Sequence, residues 1–112
     1  MTLQAIFAQL SCTNLNAGTE WFTKLFGREP DARPMKGFAE WHHGDQSGFQ
    51  LFENKQHAGR GTLTLIVRDL HNERTRCASA GLEVGSVQEA DYVNIVQMYD
   101  LDGNMVVLAE PK

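Results

Sequence analysis

Glu40 and His42 are the side chains of this sequence best placed to do chemistry together. They stand two residues apart in Phe38-Ala39-Glu40-Trp41-His42-His43. That stretch reads as a strand, so the two share a face. A carboxylate beside an imidazole suits general acid–base work, since both groups titrate within reach of neutral pH. With Gln50 in the next strand-like stretch, the pair also offers three donors of the kind that seed a divalent-metal site. The plainer alternative is a solvated, hydrogen-bonded pair on a polar strand face.

The other candidates carry less. His43 points away from His42. His57 lies in a polar link and His71 in the first turn of an expected helix, so no His-x-His or His-x-x-x-His pair is formed. Ser11 and Cys12 precede no glycine-rich elbow, and Cys12 falls on an apolar strand face, which argues against a nucleophile. Gly59-Arg60-Gly61 is too short for a phosphate loop and reads as a crossover. The net charge of −4, with no run of Lys or Arg, argues against nucleic acid or an anionic membrane surface as partner. No apolar stretch approaches a membrane span, and the N-terminus shows no basic region followed by an apolar core. Cys12 and Cys77 read as small buried apolar residues, which suits the cytoplasm. A disulfide between them is the less favoured alternative.

Positioning these residues takes two rounds of the same plan. Leu3 to Thr13 alternates, with Ile6, Ala8, Leu10 and Cys12 on one face and Phe7, Gln9 and Ser11 on the other. Asn14 caps a helix over Leu15 to Phe26 that Gly27 stops and Pro30 confirms. Asp31 to Met35, weakened by Pro34, Phe38 to His43, and Phe49 to Glu53 follow as strands. Gly44 to Gly48 is the turn between the last two, and Asn54 to Gly61 links the halves. Thr62 to Val67 then alternates, Asp69 caps a helix to about Ala80, and Gly81 ends it. Three strands complete the chain at Glu83 to Glu89, Tyr92 to Tyr99 and Asn104 to Glu110. Thr13-Asn14-Leu15-Asn16 with Gly27 matches Arg68-Asp69-Leu70-His71 with Gly81, so a supersecondary unit is duplicated. The expectation is an α+β fold of two βαβββ modules, about 1–55 and about 60–112, in one domain over 1–112. Their curved, mixed half-barrel sheets carry the helices on the outer face.

Three stretches resemble the vicinal oxygen chelate superfamily, which includes glyoxalase I, fosfomycin-resistance proteins, extradiol dioxygenases and bleomycin-resistance proteins. They are Asn14-Leu15 with Trp21-Phe22-Thr23-Lys24-Leu25-Phe26-Gly27, then Leu65-Ile66-Val67-Arg68-Asp69-Leu70, then Tyr99-Asp100-Leu101-Asp102-Gly103-Asn104. The last is similar to the family's Asp-Pro-Asp-Gly-Asn turn, with Leu101 in place of proline. The resemblance implies a concave pocket built from two half-barrels, within a chain or across a homodimer. It also implies metal ligands, which fall on Phe7, Gln50, Thr62 and Val107. Phe and Val cannot donate to a metal and Thr is a poor ligand, so no metal or other cofactor is expected.

By parity together with the resemblance, the first half lines the concave face with Phe7, Gln9, Phe38, Glu40, His42, Gln50 and Phe52. The second half adds Thr62, Thr64, Ile95, Gln97, Tyr99 and Val107. Aromatic rings with a few hydrogen-bonding groups make a small-molecule lining; the plainer alternative is a filled barrel. Trp21 and Trp41 are expected in the core. The favoured function is a metal-free binding protein that sequesters an aromatic or cationic compound, as bleomycin-resistance proteins do in antibiotic resistance. One alternative is a metal-dependent lyase, dioxygenase or isomerase with a non-standard site, or acid–base catalysis by Glu40 and His42. The other is an interaction module with a vestigial pocket.

Overall fold

The computed structural model describes residues 1–112. The first module holds β1 (Ile6–Cys12), α1 (Leu15–Phe26), β2 (Phe38–His43) and β3 (Ser47–Glu53). The second holds β4 (Thr62–Ile66), α2 (Leu70–Ser79), β5 (Gln88–Glu89), β6 (Val93–Tyr99) and β7 (Met105–Pro111). The strands form two sheets, ordered β1-β3-β2 and β4-β7-β6-β5. In each, the first strand runs parallel to the last and the others are antiparallel. The fold is therefore α+β with open mixed sheets, α1 packing on β2 and β3 and α2 on β6 and β7.

Local signals explain the helices. The Asn14 side chain accepts from the Ala17 N–H at 3.0 Å, and Gly27 closes α1 at φ 74°, a left-handed conformation that costs glycine little. Asp69 caps α2 by accepting from the Asn72 N–H at 3.2 Å. A further cap comes from the end of each module. Glu53 accepts from the Leu15 N–H at 2.9 Å, and Glu110 accepts from the N–H groups of Asp69 and Leu70 at 2.8 and 3.1 Å. These carboxylates sit where the amide dipoles of a helix start favour negative charge.

The two sheets share one apolar cluster. Phe22, Trp41, Phe49 and Leu51 come from the first module, and Leu63, Leu70, Val96 and Val106 from the second. Trp21 and Trp41 are both buried, as their positions predict. Cys12 and Cys77 are buried free thiols. Burial, aided by the nearby carboxylates of Asp102, Glu53 and Asp100, pushes the Cys12 thiol up to about 12, which keeps it un-ionised and unreactive at neutral pH.

Several expectations need correcting. Asp31 to Met35 is not a strand; a single bridge between Ala32 and Glu40 is all that forms. Pro30 and Pro34 each lack an N–H, so a regular ladder fails there. Glu83 to Glu89 shrinks to Gln88–Glu89; before it, Gly85 makes a single bond to β6, from its N–H to the Gln97 carbonyl, and its own carbonyl accepts from Arg74 Nε. Ser47 and Gly48 belong to β3 rather than to the turn. Ile6 and Ala8 lie on the apolar face of β1, yet Ile6 is 64% exposed and Ala8 is exposed too. On that face of β1 only Leu10 and Cys12 are buried.

The turn between β6 and β7 joins the modules. Asn104 is fully buried. Its Nδ2 donates to the Ser11 carbonyl at 2.9 Å and to Asp100 Oδ2 at 2.8 Å. Its Oδ1 accepts the Gly61 N–H at 2.9 Å. Asp102 accepts from Thr13 Oγ1 at 2.7 Å. One turn thus ties the end of β1 to the start of β4. Gly61 fits because a Cβ there would clash with Leu10 Cδ2.

Candidate functional site

Strand pairing builds the first sheet's free face row by row. Gln9, Gln50 and Glu40 are cross-strand neighbours on β1, β3 and β2. Phe7, Gly48 and His42 form the row on one side, and Ser11, Phe52 and Phe38 the row on the other. All seven first-half residues named from the sequence therefore lie on one face.

The central row is a hydrogen-bond chain. Gln9 Nε2 donates to Gln50 Oε1 at 3.1 Å, and Gln50 Nε2 donates to Glu40 Oε2 at 2.8 Å. Glu40 Oε1 lies 2.7 Å from His42 Nε2. The bond from Gln50, with that from His42, holds the Glu40 carboxyl below its ordinary range. Aromatic rings flank the chain. Phe38 and Phe52 stack with centroids 4.5 Å apart, and Phe7 meets the His42 ring edge-on at 6.0 Å. Gly48 makes that last contact: a Cβ there would lie 2.5 Å from Phe7 Cε2, so the missing side chain is the space the Phe7 ring fills.

The depressed Glu40 pKa has a signed consequence. Glu40 contributes stability above its unfolded pKa, and that contribution is lost as pH falls through the lower folded value. Glu40→Gln is expected to unfold at a lower temperature than the parent at pH 7. The gap should narrow on acidification and close once the parent's Glu40 is protonated. Thermal melts at pH 7, 5 and 3 check it, and a gap that widens on acidification would contradict this assignment.

The six second-half residues also share a face. Thr62 and Tyr99 flank Met105, Thr64 and Gln97 flank Val107, and Ile95 pairs with Ala109. The two groups do not meet in the chain. No hydrogen bond or aromatic contact links them, and the sheets approach where Leu10 reaches Gly61. Of the four positions carried over as metal ligands, Phe7 and Gln50 lie on the first sheet and Thr62 and Val107 on the second. No three His, Cys, Asp or Glu side chains converge anywhere.

Sequence reasoning missed a second feature. A cleft of about 610 Å³ opens between β1 and β4 on the helix side of the sheets. Ile6 and Ala8 form one wall, Leu63, Leu65 and Val67 the other, and Phe26, Trp41 and Phe49 lie at its floor. Its signal was present as the apolar alternation of Ile6 and Ala8. That alternation does not say that the covering helix stops short of them.

The fold has close counterparts among solved structures. A glyoxalase/bleomycin resistance protein from Catenulispora Acidiphila DSM 44928 superposes with a TM-score of 0.88 at 28% identity, over 97% of this chain and 98% of that one. This chain has the vicinal oxygen chelate fold. A bleomycin-binding protein solved in complex with bleomycin matches at TM-score 0.78 and 18% identity, over 99% of this chain and all of that one. Lactoylglutathione lyase from Agrobacterium tumefaciens matches at 0.76 and 19%, over 94% and 91%. The vicinal oxygen chelate fold thus carries both binding and catalysis among these neighbours, so function must be argued from the site. No family model matches the sequence, and no curated protein does.

Proposed function

We propose that this protein binds a small aromatic or cationic molecule without a metal, at a pocket completed by a homodimer. The observation that carries this is the first sheet's free face: aromatic rings around a polar row, with an ionised carboxylate at its centre. The positions at which the fold family places metal ligands do not fit a divalent ion. Phe7 and Val107 have no donor atom, Thr62 is a poor ligand, and the Gln50 amide is spent between Gln9 and Glu40. Binding of the kind the bleomycin-binding neighbour's name describes fits such a face, and sequestration in antibiotic resistance is the role it would serve. A cytoplasmic location fits two free buried thiols.

The homodimer rests on edges and exposed apolar surface. β1 and β4 each end a sheet with one side unpaired, and Ile6 and Ile66 beside the cleft are 64% and 68% exposed. A second copy related by a two-fold axis would cover both edges and bring the first sheet of one protomer toward the second sheet of its partner. Light scattering should give a dimer mass, and Ile66→Lys should give a monomer. A compound library, screened by thermal shift with chelator present, should then contain aromatic amines that raise the melting temperature of the dimer. A monomeric parent, or stabilisation that requires added zinc, manganese or iron, would overturn this reading.

The 2.7 Å contact of Glu40 and His42 favours one other reading, acid–base catalysis on the same face. It requires that His42→Ala abolish turnover while binding survives.

A further inference from the structure

The polarity of the hydrogen-bond chain can be read from one end to the other. An ionised carboxylate only accepts, and the bonds to Glu40 hold it ionised at neutral pH. Gln50 must therefore turn its NH2 to Glu40 and its carbonyl to Gln9. Gln9 must then donate, which leaves Gln9 Oε1 with no protein partner. At the other end, His42 meets the ionised Glu40 Oε1 through Nε2 and so donates there, which leaves its Nδ1 with no protein partner. The chain thus ends in a free acceptor at Gln9 Oε1, and the Glu40 carboxylate within it has lone pairs to spare.

The charge around it points the same way. No Lys or Arg lies among the residues of the three rows. The second sheet's corresponding face, from Thr62, Thr64, Ile95, Gln97, Tyr99, Met105 and Val107, is neutral. Glu40 is the one carboxylate of both faces, and no Lys or Arg on them offsets it for an incoming anion. The Phe7 and Phe52 rings on either side offer negative π faces.

We propose that this face selects a planar cation with several N–H groups, an amidinium or guanidinium joined to an aromatic ring. Its N–H groups donate to Glu40 and to Gln9 Oε1, and its plane lies against the Phe7 or Phe52 ring. Carboxylates and phosphates of the same shape are rejected. This rests on the small-molecule reading and narrows it to a ligand class and named acceptor atoms.

Benzamidinium and benzoate make the test, since they share shape and size and differ in charge and in hydrogen-bond direction. Each is titrated into the 15N-labelled parent protein at pH 7, following the side-chain NH2 signals of Gln9 and Gln50. Benzamidinium is expected to shift both and to bind at least tenfold tighter than benzoate. Glu40→Gln should weaken benzamidinium at least tenfold, while circular dichroism confirms the fold. Gln9→Leu, at an exposed edge-strand site, should weaken it by a smaller factor and leaves the charge intact. Benzoate binding as tightly as benzamidinium, indifference of benzamidinium to both variants, or binding of neither probe would overturn the proposal. A library compound that still stabilises the dimer in any of those cases would leave the small-molecule reading standing without this ligand class.

Discussion

Asn104→Ala is expected to lower folding stability by about 3–5 kcal/mol, since it strips partners from several buried groups at once. The Gly61 N–H and the Ser11 carbonyl each lose their bond to Asn104, and Asp100 Oδ2 loses its donor. Against a typical domain stability of about 5–15 kcal/mol this is a large fraction. Urea denaturation followed by circular dichroism measures it. Asn104→Asp refines the test, because it keeps an acceptor for Gly61 but places a second carboxylate against Asp100. Burial already pushes the Asp100 carboxyl up, so this variant should be markedly unstable at pH 7 and recover as pH falls and one of the pair takes a proton. A loss below about 1 kcal/mol for Asn104→Ala would mean that the shared apolar cluster, and not this turn, carries the joint between the modules.

Gly48→Ala is expected to cost about 1–3 kcal/mol and, more tellingly, to dismantle one side of the candidate site. The added Cβ would lie 2.5 Å from Phe7 Cε2 and 2.6 Å from the Trp41 carbonyl oxygen. The Phe7 ring can swing away, but the Trp41 carbonyl is backbone within the same sheet and cannot yield cheaply. Phe7 should therefore leave His42, and the ring-current shift it imposes on the His42 imidazole protons should disappear. Unfolding curves give the first effect and NMR of the imidazole protons the second. Unchanged His42 signals in a folded Gly48→Ala protein would show that Phe7 does not depend on the space over Gly48.

The helices were legible because their start and stop signals are local. Asn14 and Gly27 bound α1 within a few residues of the groups they satisfy. The first-sheet face was legible for a similar reason: side chains alternate along strands, so Glu40, His42 and Gln50 had to fall together once the strands paired. What stayed hidden depends on distance along the chain. Asp102 and Asn104 read as turn residues, but their bonds to Thr13 and Ser11 cross most of the sequence. Gly48 read as the end of a turn, since nothing nearby in sequence shows that a phenylalanine from another strand needs its space. The exposure of Ile6 and Ala8 stayed hidden too, because alternation reports a face, not whether it is covered.

Glu53 and Glu110 each return from the last strand of a module to the opening turn of that module's own helix. Each half therefore brings its own beginning and its own lock, and borrows neither from its neighbour. In evolutionary terms such halves are interchangeable parts. One can diverge in its lining, gaining a charge or losing a ligand, without undoing the other's architecture. The constraint then gathers where the halves meet, in the shared apolar cluster and the joint around Asn104, which have to be kept whichever molecule the two faces come to hold.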